Sequence, residues 1–336
     1  MSKPDQVGVG MIGVGSNGAG FLQAFGRHPH ATVVAIAEPD EQRRSEMAAR
    51  HNVPNSFARA EELLRLPEVD LVSIHAPDRR HAELTLAALD AGKQVFVEKP
   101  LGTSIDQITT VIRRTDATGK LVAVGQVLRT WPHFRRLKTL VDSGRLGTLF
   151  YVSGNYLTDQ MRSIPGIQQK AATSYSPAIL TLGVHVVDVL RWLAGDVVAV
   201  QAYRNEGLAF PGNPFDECIA ATYRFAGGAV GQVATCWGDA APLAANYGVT
   251  MHGSLGTVDG ARVRFADAPE WIDLAEAWPG ALPEGGPAAE VDAVIEHLRG
   301  GPPVPCDARE GGRSAIACLA AVEAARQGAA VAIPTP

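Results

Sequence analysis

The sequence is poor in cysteine, with Cys218, Cys236, Cys306 and Cys318 the only four in 336 residues. None stands in a C-x-x-C pair and none has a histidine at metal-ligand spacing, which argues against a zinc site and leaves no metal expected. So few thiols in so long a chain also argue against a disulfide framework. An excess of positive charge is missing too. Thirty Lys and Arg stand against 35 Asp and Glu, a formal net charge of −5. A chain without a basic footprint is expected to bind neither nucleic acid nor an anionic membrane surface. No apolar run approaches the ~20 residues of a membrane-spanning helix. The start, Met1-Ser2-Lys3-Pro4-Asp5-Gln6, enters a short apolar segment without a signal-peptide pattern. The expected location is the cytoplasm. What the chain has in quantity is hydrophobic residues, 46% against 19% charged. That is the composition of packed cores rather than of disorder, and the length suits about two domains.

The first 125 residues alternate apolar runs with amphipathic stretches, as repeated β-α units do. Strands are expected over 7–14, 33–37, 69–75, 94–98 and 121–125, with helices between them. Their near-continuous apolar character predicts a sheet covered on both faces. After residue 125 the texture changes. Helices are expected over 133–143 and 177–193. From 197 to 265 strand follows strand, with Gly227-Gly228 as a hairpin signal. Two helices, 289–299 and 309–326, close the chain. The residues therefore divide into an α/β domain, 1–125, and an α+β domain, 126–336. Loops are expected over 156–175, 204–216 and 279–287.

The first strand ends in Gly13-Val14-Gly15-Ser16-Asn17-Gly18 and opens a helix. This is G-x-G-x-x-G in the setting that gives it meaning. The first glycine permits a tight turn, the second lets backbone approach a pyrophosphate, and the third lets helix pack closely on sheet. The helix N-terminus adds unpaired N–H groups and a partial positive charge. Glu38 follows 20 residues after Gly18 at the end of the second strand. A carboxylate there accepts protons from ribose hydroxyls and repels a 2′-phosphate, which favours NAD. Arg43 and Arg44 nearby keep NADP open. Further along, Glu98-Lys99-Pro100 ends a strand at the carboxyl edge, where doubly wound sheets bind ligands. A lysine there shuttles a proton or polarises a carbonyl, or else the Glu-Lys pair is merely solvated.

Several motifs in order resolve that choice. They are the glycine loop, Ala76-Pro77 with His81, the run from Ala91 to Leu101 (AGKQVFVEKPL), Val124-Gly125-Gln126 with Arg129, Gly183-Val184-His185 with Asp188 and Arg191-Trp192-Leu193, and Gly253-Ser254-Leu255-Gly256-Thr257. Together they resemble the Gfo/Idh/MocA oxidoreductases, a family named in part for glucose–fructose oxidoreductase and inositol dehydrogenase. The resemblance spans essentially the whole chain. It implies an N-terminal Rossmann domain for NAD(P) and a C-terminal α+β domain with a large open, mainly antiparallel sheet. That sheet commonly packs against another subunit, so a homodimer or homotetramer is expected. The implied reaction is hydride transfer between nicotinamide and a secondary alcohol or ketone of a sugar, cyclitol or glycoside. Catalysis then falls on Lys99 and His185. The cofactor set is Gly13, Gly15, Ser16, Asn17, Gly18, Glu38, Ala76, Pro77, His81, Glu98 and Lys99. His81 either caps its helix or stands near the cofactor. The substrate set is Lys99, Arg129, Tyr156, Thr181 and His185, with Trp131, Asn155 and Arg162 as lesser candidates.

One position departs from the polyol dehydrogenases of this family. Where they carry an Asp four residues before the histidine, this chain has Thr181. At i and i+4 on one helix face, a threonine can hydrogen-bond His185 but cannot hold charge. The departure points away from a standard inositol dehydrogenase, toward a glycoside, a modified sugar or another carbonyl compound. It also admits a redox-neutral hydrolase, lyase or epimerase that keeps NAD tightly bound. A non-catalytic NAD(H)-binding redox sensor is a further alternative, which the presence of both Lys99 and His185 disfavours. Asp188 is expected on a helix surface or between domains, and Trp192 and Leu193 in the core.

Overall fold

The computed structural model describes residues 6–163, 177–212, 216–238, 247–277 and 285–335. Parts of all three expected loops lie outside the described residues. The chain forms two compact units.

The first unit runs to Thr130 and takes in the later segment that ends at Gly312. Its sheet has six parallel strands: β1 (Val7–Ile12), β2 (Ala31–Ala37), β3 (Asn55–Phe57), β4 (Leu71–Ile74), β5 (Gln94–Glu98) and β6 (Val122–Gly125). Their order is β3-β2-β1-β4-β5-β6. Every residue of β1 is buried, as expected of a strand covered on both faces. The order reverses between β1 and β4, the crevice where doubly wound sheets take ligands. The helices α1 (Ser16–Arg27), α2 (Glu41–His51), α3 (Ala60–Leu64), α4 (His81–Asp90) and α5 (Ile105–Thr118) connect the strands. Local chemistry sets their ends. The Asp40 side chain accepts from Arg43 N at the start of α2, and Ser104 accepts from Gln107 N at the start of α5. The short strand β3 carries too little apolar patterning to be foreseen.

The compact units depart from a linear division at residue 125: the first runs on to Thr130 and regains a later segment of the chain. The helix Pro287–Leu298 belongs to the first unit, where Val291, Val294 and Ile295 share a core with Phe21, Leu22 and Phe25 of α1. Each such buried side chain contributes ~1.5–3 kcal/mol. The first turn of the helix Ala308–Gln327 also belongs here.

The second unit begins at Trp131 and is completed by Arg313–Thr335. After α6 (Pro132–Asp142) come β7 (Leu149–Leu157), β8 (Val197–Glu206), β9 (Asp216–Phe225), β10 (Val230–Cys236), β11 (Val249–Gly253), β12 (Gly256–Asp259), β13 (Arg262–Phe265), β14 (Ala268–Asp273) and the terminal β15 (Val331–Ala332). They form one nine-stranded sheet, β14-β13-β12-β11-β7-β10-β9-β8-β15. Only the β7–β10 pair is parallel. Alternate residues of β9 (Ile219, Ala221, Tyr223, Phe225) are buried, so one face is covered. The helix Val184–Ala194 lies on that face, and Gly154 of β7 leaves room for Val186. The helix expected over 177–193 is not uniform: a π-helical turn, Ile179–Gly183, precedes it.

Candidate active site

The glycine loop takes the form its spacing predicts. Gly13 has φ +86°, and a Cβ there would lie 2.5 Å from the His75 carbonyl oxygen. A Cβ on Gly18 would strike the Gly13 carbonyl. Gly15 is different: nothing lies within 4 Å of the Cβ position. It precedes α1, whose N-terminus has no side-chain cap and no acidic residue in its first turn. Open space over unpaired N–H groups suits a phosphate. Ser16 is exposed at the same rim. Glu38 is buried beneath the loop, where Oε2 accepts from Val14 N (3.1 Å) and Oε1 from Asp40 N (3.2 Å). Arg43 pairs with Glu38 at 3.4 Å, and Arg44 donates to the Glu38 carbonyl at 2.7 Å. Only Arg43 of the two thus meets the carboxylate itself. These residues fit a dinucleotide, with Gly15 and the start of α1 at the phosphates and Glu38 at the ribose.

At the end of β5 the Glu98 carboxylate is buried and accepts from Lys99 N at 3.3 Å. Burial pushes the Glu98 carboxyl up, while Lys99, Asn17 and His81 pull it down. Lys99 follows, half-buried. His81 is buried, with Nδ1 2.7 Å from the Pro100 carbonyl and Nε2 2.8 Å from that of Ala76. A neutral ring donates to one of these oxygens and an imidazolium to both. His81 therefore ties the Ala76-Pro77 turn to the chain after Lys99, a positioning role rather than a cap. His75 sits under the glycine loop, 4.4 Å from the Phe21 ring centroid. Its Nε2 meets Ser73 Oγ at 2.8 Å, and its buried Nδ1 has no partner. Burial, with a smaller contribution from His81, lowers its pKa to about 3.

Sequence reasoning missed Glu290 in this unit. It is buried on the helix Pro287–Leu298, and it is pushed well above the usual carboxylate range by burial and then by Glu98, with Lys99 opposing. No motif marks it, because an acid in a helix's first turn is ordinary. Arg129 is also placed otherwise than expected. Its buried guanidinium donates to the Pro305 carbonyl (2.8 Å) and pairs with Glu310 (3.4 Å). It braces the returning segment instead of presenting itself to a substrate.

In the second unit, His185 lies among aromatic rings. Its centroid is 6.2 Å from Tyr156 and 6.3 Å from Tyr247, the latter edge-on. The two tyrosine rings are 4.5 Å apart, and Gln160 Nε2 donates to the Tyr156 hydroxyl at 3.2 Å. Trp131 stands edge-on to Tyr247 at 5.5 Å and is exposed. Tyr247 was missed, since a lone tyrosine before a strand carries no pattern. Burial, then Tyr156, raises its hydroxyl above the ordinary range. Thr181 is buried but belongs to the π-helical turn. Hydrogen bonds in such a turn run i→i+5. Asn155 accepts from Gly248 N at 3.0 Å, and Arg162 stacks on Phe210 at 4.7 Å. Asp188 is no surface carboxylate: it is buried and accepts from Ser314 Oγ at 2.8 Å, while Arg191 donates to the same oxygen. Trp192 is half-buried rather than core. Among the described residues no cluster of three or more His, Cys, Asp or Glu side chains could hold a metal ion, and no helix is long and apolar enough to cross a membrane.

Two family models match in series. The Gfo/Idh/MocA model described as an oxidoreductase family with an NAD-binding Rossmann fold covers residues 7–126, and the Gfo/Idh/MocA C-terminal domain covers 134–259. Among curated proteins, an uncharacterized oxidoreductase, YrbE, of Bacillus subtilis is 27% identical over 61% of this chain and 59% of its own. An inositol 2-dehydrogenase of Saccharopolyspora erythraea is 31% identical over 59% of this chain and 57% of its own. The chain thus matches less than two thirds of these relatives' length. Among solved structures, a levoglucosan dehydrogenase with NADH has the same fold over 98% of this chain and 100% of its own, with TM-score 0.87 and 23% identity.

Proposed function

The chain belongs to the Gfo/Idh/MocA oxidoreductase family, and from that premise we propose that it is an NAD-dependent dehydrogenase or reductase of a secondary alcohol or ketone on a sugar, cyclitol or glycoside. The observation that carries the reading is the open space at Gly15 before the uncapped N-terminus of α1, with the buried Glu38 carboxylate held at Val14 N beside it. The relatives named for inositol and levoglucosan support the substrate class.

Gly15, Ser16 and the first N–H groups of α1 hold the pyrophosphate, and Glu38 holds the adenosine ribose, favouring NAD with NADP as the lesser ligand. Bound nicotinamide supplies the hydride acceptor or donor. Lys99 takes the hydroxyl proton as the alcohol becomes a ketone and returns it in the reverse direction. His185 assists by orienting the hydroxyl, and Tyr156, Tyr247 and Trp131 offer ring faces of the kind that sugars stack on. Replacing Lys99 by Ala lowers kcat by ~10²–10⁴-fold, the usual worth of a positioned proton-transfer group. NADH binding, followed by its fluorescence, stays nearly unchanged. Full turnover by Lys99→Ala would overturn the assignment.

Thr181, in place of an acid, favours one second reading, redox-neutral glycoside cleavage or epimerisation with retained NAD. It predicts purified protein with nicotinamide absorbance and turnover without net NADH. Homodimers or homotetramers form through the outer sheet face, where Tyr203 and Val230 are exposed; sedimentation measures the assembly. A cytoplasmic setting suits four free cysteines.

A further inference from the structure

Two of the four cysteines face each other across the second sheet. In the ladder between β9 and β10, Cys218 is the residue opposite Cys236, and both are thiols. Backbone hydrogen bonds fix the kind of pair they make. Cys218 N donates to Asn205 Oδ1 on β8 at 3.1 Å, and the Cys236 carbonyl accepts from Thr158 N, just after β7, at 2.9 Å. The neighbouring Glu217 carbonyl accepts instead from Trp237 N, on the β10 side, at 3.3 Å. In an extended strand the N–H and C=O of one residue point to the same side, and the side alternates along the chain. The backbone polar groups of Cys218 and Cys236 therefore point away from each other, which makes them a non-hydrogen-bonded pair. Such a pair holds its Cα atoms about 4.5 Å apart, within the ~4.4–6.8 Å that a disulfide spans. Opposite residues also share a face. Cys218 continues the row of Ala220 and Thr222, and Cys236 that of Gln232 and Ala234, on the face away from buried Ile219, Val233 and Thr235. Both thiols are half-buried, and Cys236 stands at the opposite end of β10 from Val230. Cys306 and Cys318 are buried and belong to different units; buried thiols of that kind are inert.

We propose that Cys218 and Cys236 form a reversible disulfide, an oxidation site that locks the start of β9 to the end of β10 when a hydroperoxide reaches it. With hydrogen peroxide, the thiolate of one cysteine attacks the O–O bond and becomes a sulfenic acid, releasing one water. The second sulfur displaces the new hydroxyl group, which leaves as another water. Two S–H bonds are lost and one S–S bond forms; the thiols give up two electrons and the peroxide takes them. A small dithiol returns the pair to thiols by exchange. In a reducing compartment a disulfide of this kind is transient and redox-sensing rather than structural, which agrees with a chain that has only four cysteines. The bridge falls beside the aromatic rings around His185. Thr235, the residue before Cys236, is the β10 partner of Tyr156 on β7, and Thr158 donates to the Cys236 carbonyl. Oxidation therefore stiffens the strand ends next to Tyr156. The bridge itself needs neither NAD nor a sugar.

The test is peptide mapping of the purified full chain after exposure to hydrogen peroxide, with the remaining thiols alkylated in denaturant. Trypsin cuts after Arg224, which puts the two cysteines on separate peptides. The oxidised protein keeps two of its four thiols, the Cys218 and Cys236 peptides run as one linked species, and the unreduced protein keeps the mass of a single chain. Dithiothreitol restores all four thiols. In Cys218→Ser no linked species forms, and Cys306 and Cys318 stay thiols in both proteins. Hydrogen exchange reads the lock: the Thr158 and Trp237 amides exchange more slowly in the oxidised parent and not in oxidised Cys218→Ser. If Cys218→Ser does not fold, Cys236→Ser gives the same comparison. Four surviving thiols, sulfinic acid at either position without the linked peptide, or a disulfide that joins two chains each overturn the bridge. Unchanged exchange at both amides in the bridged protein overturns the lock.

Discussion

At the scale of single residues, burial does more than charge to decide what each candidate can do. His75 shows this best. Its imidazole is held neutral, with its pKa lowered from 6.5 to about 3 by burial among Phe21 and Phe96. Between those two values the unfolded chain binds a proton that the folded chain refuses. The stability His75 contributes is therefore complete above about pH 6.5 and drains away as pH falls toward 3. His75→Phe lacks this penalty. Its thermal midpoint, measured against the parent's, rises progressively as the buffer goes from about pH 7 to about 4. A difference independent of pH would show that the ring is not held neutral. The raised carboxyls of Glu98 and Glu290 act in the opposite sense, but they are common to both proteins and cancel in the comparison. The roles of His81 and Arg129 could not be seen in the sequence. Whether a histidine or an arginine faces a ligand or a backbone carbonyl depends on which distant oxygen lies within 3 Å of it.

At the scale of elements, the turn from β1 into α1 was fully legible, because its chemistry is local. Three glycines within six residues serve three different needs, and the structure separates them. Gly18→Ala drives a methyl group into the Gly13 carbonyl, and costs ~1–3 kcal/mol or more by overpacking. Gly15→Ala meets no atom within 4 Å, so its unfolding free energy stays within ~1 kcal/mol of the parent's. Its methyl group instead occupies the space proposed for a phosphate, and NADH affinity falls at least ~10-fold. Calorimetric unfolding and NADH titration of the two variants read the two effects apart. Equal losses of stability would contradict the open space at Gly15. The helix before His185 was legible only in part. Apolar spacing located it, but the π-helical turn Ile179–Gly183 that opens it leaves no mark on composition.

At the scale of the whole molecule, neither unit is a continuous stretch of chain. The first borrows the helix Pro287–Leu298, and its core closes only when Val291, Val294 and Ile295 meet α1. Ile295→Ala, more than 250 residues from β1 in sequence, accordingly destabilises the first unit by ~2–5 kcal/mol. Hydrogen exchange reads this as lost protection in β1 and β4, with β9 of the second unit nearly unaffected. Uniform loss in both sheets, or none, would contradict the assignment of this helix. The amino-acid sequence by itself determined the parallel α/β half, the strand-rich half, the glycine loop, Glu38 and the Glu98-Lys99 pair, because apolar period and turn chemistry act over a few neighbouring residues. Only the tertiary structure decided that Glu290 is buried in the first unit, that Tyr247 joins Tyr156 and His185, and that Arg129 serves as a brace. Those pairings come from remote segments brought together by burial, and burial of a remote partner leaves no period in the chain that supplies it.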